Sequence, residues 1–335
     1  MKWSLVLTGV LFFVLPVLSD GEVQSQTYLS GDPSVSETKA WPKQLSVLTF
    51  NTWGMWMGPI HVGKNWPERL PRIAQAIRQA NADVVLFQEL WRKQDRKYVT
   101  DSLHEQYPYS VGSHGKMGLR GLIGSGLLVL SKYPFFAPEQ FHVYKDFTAP
   151  EEFFAGKGLL IVPISINGKL FAFGNTHLGS AHWDAKINDF KPKQLAQHVR
   201  QLEQMGELIA EARHSFDERG LHPHFILSGD TNCPEYFWNA AENRTETDKP
   251  SYCYPSLNPN GELLDTYRLL NPDDLGWTNG TANPYHTVGE PDARIDYIFS
   301  DVNPRVIPYS SKIIFQDTTS PLSDHYGVLT NFLLL

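Results

Sequence analysis

The sequence predicts an α/β chain, a two-sheet β-sandwich with helices on its outside. Three observations predict it. Residues 45–51 alternate in the manner of a strand with two different faces, whereas 83–89 form a continuous apolar run of the kind covered on both faces. Amphipathic helical stretches recur among the strands. No linker separates one kind of element from the other, so residues 45–335 read as a single domain.

In order along the chain, Lys2, the apolar residues 5–18 and the small side chains near Ser19 read as a secretory signal peptide over residues 1–19. Its apolar run is shorter than the ~20 residues a membrane span needs. Residues 20–44, rich in Ser, Thr, Gln, Gly and Pro, read as a disordered leader. The strand 45–51 delivers Asn51 at its tip. Residues 53–58 carry two glycines and large apolar side chains and read as a loop. Pro67 opens a helix to about Ala80, with Leu70, Ile73, Ala74 and Ile77 on one face. The strand 83–89 ends in Glu89, and a helix over about 93–105 follows. Strands at 126–132 and 157–166 come next. The second is joined by Asn167-Gly168, a hairpin signal, to a strand 169–177 ending in His177. A helix over about 193–213 shows a stripe of Leu195, Val199, Leu202, Met205 and Ile209. The strand 225–230 leaves through Gly229, suited to a tight exit. Residues 236–285, dense in Asn, Pro and Gly, read as surface loops around a short helix near 263–270. Strands at 294–299 and 326–335 complete the set.

The formal net charge is −7, and loss of Lys2 with the signal peptide makes it more negative. An acidic surface repels a polyphosphate backbone, so no nucleic-acid partner is expected. The two cysteines, Cys233 and Cys253, offer one disulfide in a secreted chain, with two unpaired thiols as the alternative. Asn243-Arg244-Thr245 and Asn279-Gly280-Thr281 are glycosylation sequons. No feature of the sequence points to a protein partner.

Several strands end in a polar residue with no structural need to be there: Asn51, Glu89, His177, and the pair Asp230 and Asn232. Singly, each has an ordinary role. Asn51 could close an Asx turn, Glu89 could pair with Arg92, and Asp230 and Asn232 could cap a helix near Pro234. Their recurrence at successive strand ends is what points to a site. The neighbours Asp324 and His325 point in different directions and need different partners. Asp324 is expected to face a metal and His325 a water, with Asp296 holding the far side of the ring. Oxygen donors such as Glu89, Asp230, Asn232 and Asp324 suit a hard cation, Mg²⁺ above all, and the close His or Cys spacing that zinc favours is missing. Two histidines beside such a cation are what hydrolysis of a phosphate ester requires.

These residues, with Gln88-Glu89, Asn175-Thr176-His177, Gly229-Asp230-Thr231-Asn232, Arg294-Ile295-Asp296-Tyr297 and Ser323-Asp324-His325, follow the motif order of the endonuclease/exonuclease/phosphatase superfamily, whose fold is deoxyribonuclease-I-like. Within it the sequence most resembles the neutral sphingomyelinases, through Asn51-Thr52-Trp53-Gly54, Gln88-Glu89-Leu90-Trp91, Ile123-Gly124-Ser125-Gly126-Leu127, Gly156-Lys157-Gly158 and residues 319–325. The resemblance implies hydrolysis of sphingomyelin to ceramide and phosphocholine with Mg²⁺, for which Mn²⁺ or Co²⁺ could substitute. It makes Glu89 the chief metal ligand, with Asn51 beside it and Asp324 metal-facing. His325 becomes the base, oriented by Asp296. Asp230 and Asn232 contact phosphate or metal, and His177 serves the leaving side. Lys157 matches a family lysine whose acidic partner here is Glu152 rather than aspartate. A secreted enzyme, peripheral at membrane surfaces, is the expectation, with Trp56, Met57, Phe153 and Phe154 as candidate lipid contacts. The alternatives are a lysophospholipid phospholipase C, or a nuclease or phosphatase of the same fold.

Overall fold

The computed structural model describes residues 44–335 apart from 58–59, 113–122, 146–153, 182, 185–188, 240–243, 259–260 and 288. The signal peptide, nearly all of the leader, Glu152, Phe153 and Asn243 therefore lie outside the described residues. So do the side chains of Trp56 and Met57.

Twelve strands build two sheets of six. The first sheet takes β1 (Gln44–Asn51), β2 (Val84–Gln88), β3 (Tyr109–Gly112) and β4 (Leu128–Ser131) from the first half of the chain. The second takes β5 (Gln140–Val143), β6 (Gly158–Ile166), β7 (Lys169–His177), β8 (His224–Asp230), β9 (Leu263–Asp265) and β10 (Asp296–Asp301). The last two strands, β11 (Val306–Ile314) and β12 (Gly327–Leu334), return to the first sheet. Strand order is β11-β12-β1-β2-β4-β3 in one sheet and β9-β10-β8-β7-β6-β5 in the other.

Each sheet has one parallel pair at its centre, and each pair is joined by a helix because a parallel connection must cross back over the sheet. Helix α1 (Trp66–Ala80) joins β1 to β2, and α2 (Lys93–Leu103) follows β2. Helix α3 (Pro192–Asp217) joins β7 to β8. The flanking strands β12 and β10 run antiparallel to these pairs. The C-terminal tips of β1, β2, β7 and β8 therefore lie at the same end of the sandwich as the beginnings of β10 and β12. Asp230 stands opposite His177 on one side and Asp296 on the other. That end collects every polar strand tip noted in the sequence.

Period-two alternation sorts the core. On β1, Leu45 and Val47 pack between the sheets, while Leu48 and Phe50 face the α1 and α2 side. Leu160, Phe171, Phe173, Ile226 and Phe332 fill the space between sheets, and Trp66, Ile73, Ile77 and Val99 cover the first sheet. The second sheet is covered by Leu202, Met205 and Phe216 of α3. The expected stripe on α3 holds at Leu202, Met205 and Ile209, whereas nearer the start of the helix Val199 is exposed, and Gln194, Gln197, His198 and Gln201 are buried. This half of α3 packs against loop backbone rather than an apolar face. Gln201 accepts from Gly179 N at 2.7 Å and His198 Nε2 lies 2.8 Å from the Thr231 carbonyl.

The long surface-loop expectation for residues 236–285 needs correcting. Tyr236–Asn239 and Arg244–Pro250 pair as an antiparallel hairpin, so no helix starts near Pro234 for Asp230 and Asn232 to cap. The segment near 263 is strand β9 and only then the short helix α4 (Thr266–Leu270), capped by the Asp265 carboxylate. The loop after Asn51 likewise contains a two-residue ladder, Trp56–Met57 against Ile60–His61. The edge strand β11 carries Pro308 and slips register between Pro308 and Ser310.

Cys233 and Cys253 are bonded to each other and fully buried. Protein denatured without reductant should show no titratable thiol, and replacing both cysteines with serine should cost ~3 kcal/mol in chemical denaturation, the scale for closing a loop of this size.

Candidate active site

Asn51 is the hinge of the site. Its Nδ2 donates to Asp230 Oδ2 at 2.8 Å and to Glu89 Oε1 at 3.3 Å, while its Oδ1 accepts from Trp53 N at 2.9 Å. In this orientation Asn51 offers carboxylates a donor. Turning its amide oxygen to a cation would sacrifice the Trp53 bond. Three residues here hold positive φ without being glycine: Trp53, Glu89 and Asn232. Backbone strain of this kind persists where the surroundings over-determine it, and it clusters at functional sites. Gly229 has a hard steric reason, since a Cβ there would meet the Thr176 carbonyl oxygen at 2.0 Å.

His325 Nδ1 lies 2.8 Å from Asp296 Oδ2, so that nitrogen carries the proton and Nε2 is left for chemistry. Asp230 Oδ2 is 3.9 Å from His325 Nε2 and 3.4 Å from His177 Nε2, and thus stands between two imidazoles. His177 is also 3.8 Å from Glu89. Lys157 Nζ and Asn232 Nδ2 converge on one acceptor, the Leu178 carbonyl, at 3.0 and 2.9 Å. Asn232 N closes onto Asp230 Oδ1 at 2.8 Å. Arg92 lies 3.8 Å from Asp95 Oδ2, whereas Glu89 turns to Asn51 and His177. Asp324 sits beside this group, its Oδ1 accepting from Ser323 Oγ at 3.1 Å.

Burial pushes the Asp230 carboxyl up to about 7, against the opposing pull of His325. Burial also raises Glu89, with Asp324 adding repulsion, and raises Asp324 itself. His177 is driven well below its ordinary value by burial and then by the Lys157 and His325 cations. Burial works against charge on His325 too, but Asp296, Asp230 and Asp324 outweigh it and hold the imidazole well above its ordinary value. Glu89 Oε2 and Asp296 Oδ1 are buried with no hydrogen-bond partner among the described residues. A cluster of crowded carboxyls with orphaned oxygens is a place for a positive charge. Asp230, Asp296 and His325 present ligand atoms within 4.8 Å of one another. Asp296 engages His325 through Oδ2 alone, and the oxygen set on Glu89 and Asp230, with Asp324 nearby, fits a hard divalent cation.

Arg69 is the residue that sequence reasoning missed. It is fully buried and donates to the carbonyls of Lys64, Thr52, Trp53 and Leu322 at 2.7, 2.7, 2.8 and 2.7 Å. Its guanidinium also lies over the rings of Trp53, Trp66 and Tyr285. It thereby ties the loop after Asn51 to the loop before Asp324. Trp53 is half-buried in this stack, its ring against Tyr285. Of the four candidate lipid contacts only Phe154 has a described side chain, and it is 44% exposed.

A carboxyl raised by burial keeps its proton longer in the folded chain than in the unfolded one. Cation-free protein should therefore lose stability as pH rises from 3.8 towards about 7, the span of the Asp230 shift. A divalent cation should restore it. Thermal denaturation with Mg²⁺ as the probe should show a larger rise in Tm at pH 8 than at pH 5.

Residues 48–325 match the model of the endonuclease/exonuclease/phosphatase family. The chain is 28% identical over 304 residues to a candidate neutral sphingomyelinase of Drosophila melanogaster, spanning 87% of this chain and 61% of that one. It is 27% identical over 194 residues to sphingomyelin phosphodiesterase 2 of Homo sapiens, spanning 56% of this chain and 41% of the human protein. The chain thus covers between two and three fifths of the length of these curated relatives. Among solved structures, sphingomyelinase C from Streptomyces griseocarneus superposes with a TM-score of 0.60 at 19% identity, over 86% of this chain and 99% of that one. A humanized D. rerio TDP2 gives a TM-score of 0.60 at 17% identity, over 87% of this chain. At these identities the structural matches speak for the fold, a two-sheet sandwich shared by both. With the family model spanning both sheets from β1 to His325, the chain belongs to the endonuclease/exonuclease/phosphatase family.

Proposed function

We propose that the chain is a Mg²⁺-dependent phospholipase-C-type hydrolase that splits sphingomyelin into ceramide and phosphocholine. The observation that carries the reading is the Asp296–His325 pair at 2.8 Å, set against a group of buried carboxyls short of positive charge. Sequence relatives named as sphingomyelinases support the substrate class. Glu89 and Asp230, with Asp324 beside them, would hold the cation, which when bound supplies charge for the phosphate oxygens and for the leaving group.

The chain's own residues do the rest. Asp296 keeps the Nδ1 proton of His325 in place and stabilises the imidazolium. Nε2 takes a proton from water as its oxygen attacks phosphorus and the bond to the ceramide oxygen breaks; that oxygen takes up a proton from solvent, and His325 returns its own to solvent. Of the carboxyls that hold His325 protonated, Asp230 and Asp324 would face the cation and have their charge offset by it, while Asp296 stays on Nδ1. His177, kept neutral by burial, stands across Asp230 from His325 and stabilises the departing oxygen. Asn232 and Lys157 fix the Leu178 carbonyl and with it the backbone that follows His177. A D. rerio TDP2 of the same fold was solved with a single-strand DNA product, but a net charge of −7 and a carboxyl-lined site disfavour a polyanion here.

Phosphocholine release should be greater from sphingomyelin than from phosphatidylcholine or lysophospholipid, and should stop when Mg²⁺ is chelated. Glu89→Gln should lose most activity and recover part of it at high Mg²⁺. His325→Ala should abolish turnover with vesicle binding intact, and Asp296→Asn should lose less. Full activity of Glu89→Gln at low Mg²⁺, or a harmless Asp296→Asn, would overturn the assignment.

A soluble enzyme must meet its lipid at the headgroup plane. Phe154 is exposed, and its carbonyl accepts from Ile123 N at 3.2 Å, while Leu90 N donates to Gly126 O at 2.9 Å. This backbone route ties Phe154 to the segment beside Glu89. Met55, on the loop leaving Asn51, is 37% exposed. Secretion and peripheral contact at a membrane surface are part of the proposal, with Trp56, Met57, Phe153 and Phe154 as the anchors. Trp56→Ala with Met57→Ser should weaken binding to sphingomyelin vesicles and activity on them, yet leave hydrolysis of a soluble phosphocholine ester nearly unchanged. Equal loss on both substrates would remove the membrane role.

A further inference from the structure

Asp296 and His325 belong to different sheets. Asp296 begins β10 in the second sheet, and His325 precedes β12 in the first. Their 2.8 Å contact therefore depends on something that fixes one sheet's strand start against the other's.

Residues Thr278 and Asn279, in the loop between α4 and β10, touch both. Thr278 is fully buried, and its Oγ1 accepts from Ile295 N at 3.1 Å and Asp296 N at 3.2 Å. Its carbonyl accepts from Tyr326 N at 2.7 Å. One residue thus holds the backbone at Asp296 with its hydroxyl and the backbone beside His325 with its carbonyl. Asn279 continues the link. It forms isolated bridges with Ala293 and with His325, exchanging bonds with Ala293 at 3.0 and 2.8 Å. Its side-chain Nδ2 donates to the Asp324 carbonyl at 3.4 Å, and its Oδ1 accepts from His286 Nδ1 at 2.7 Å. His286 is anchored in turn, 2.9 Å from the Glu290 carbonyl.

Asn279 is also the acceptor of the sequon Asn279-Gly280-Thr281. A glycan would be attached at Nδ2, the atom already turned to the backbone of Asp324. A sugar would replace one Nδ2 proton of a half-buried amide that has the Asp324 backbone on one side and His286 on the other, and would compete with both for the space between them.

We propose that Thr278 and Asn279 are positioning residues that set the Asp296–His325 pair, and that Asn279 is left without a glycan in the folded protein despite its sequon. The inference rests on His325 serving as the base. Misplacing such a pair by a fraction of an ångström to an ångström lowers the chemical step rather than substrate binding.

Thr278→Val keeps the shape and removes the acceptor for two buried N–H groups. It should lower kcat by about tenfold to a hundredfold with KM within about twofold of wild type. Thr278→Ser, which keeps the hydroxyl, should recover most of kcat. Folded Thr278→Val with wild-type kcat would overturn the inference. So would Thr278→Ser as damaged as Thr278→Val, since the lost methyl would then matter more than the hydroxyl. Should Thr278→Val not fold, Asn279→Gln takes its place: the longer side chain should lower kcat at constant KM, and an unchanged kcat would count against the proposal.

A second arm needs no substrate. Full-length protein secreted from a glycosylating host should show, by peptide mass spectrometry, an unmodified Asn279 in the folded fraction. A glycan on Asn279 in folded protein would overturn the proposal. Wild type inactive on sphingomyelin would defeat the functional reading, while glycan occupancy would still decide the Asn279 claim.

Discussion

One amide crosses the gap between the two sheets at the functional end. Asn51, on the first sheet, donates to Asp230, on the second, at 2.8 Å. Deeper between the sheets, a second pair repeats the device. Gln88 Nε2 donates to Asn175 Oδ1 at 2.7 Å, and Asn175 Nδ2 returns to the Phe87 carbonyl at 3.0 Å. Apolar contacts fill most of the inter-sheet space, and they fix register less sharply than hydrogen bonds do. A buried donor displaced from its acceptor costs about 1–3 kcal/mol. The alignment of the sheets, and with it the meeting of Asp230, His177, Asp296 and His325, depends on these few polar links. They exemplify a buried network that specifies one arrangement rather than merely adding stability.

The fold class was legible because period and hydrophobicity carry it. Strands β1, β2, β7 and β8 announced themselves by apolar runs ending in Asn51, Glu89, His177 and Asp230. A polar tip on a buried strand is a local signal that survives without any knowledge of topology. The geometry then explains why the tips meet: central parallel pairs point one way, and their antiparallel neighbours begin where they end.

What was not legible shares one cause. Arg69 looks, in sequence, like a solvated position on an amphipathic helix, yet its partners are four carbonyls. Thr278 and His198 likewise act on backbone groups, which have no letter of their own in a sequence. The first half of α3 departs from its apolar stripe for the same reason, its buried glutamines and histidine facing loop amides and carbonyls. The hairpin at 236–250 was hidden by a composition that favours turns, and tertiary packing overrode that local preference.

The irregularity on β11 bears on how the molecule behaves in company. This strand is nine residues long and forms the outer margin of its sheet, whereas the other margins are strands of three or four. Ile307 and Tyr309 are 39% and 46% exposed along it. A straight margin of that length, with apolar side chains, would recruit strands from other copies into continuous sheets. Pro308 withholds an N–H, the register slip beside it bends the ladder, and exposed Lys312 adds a charge. The strand is thereby a poor template, and the chain can be concentrated at a surface without its sheets growing into one another.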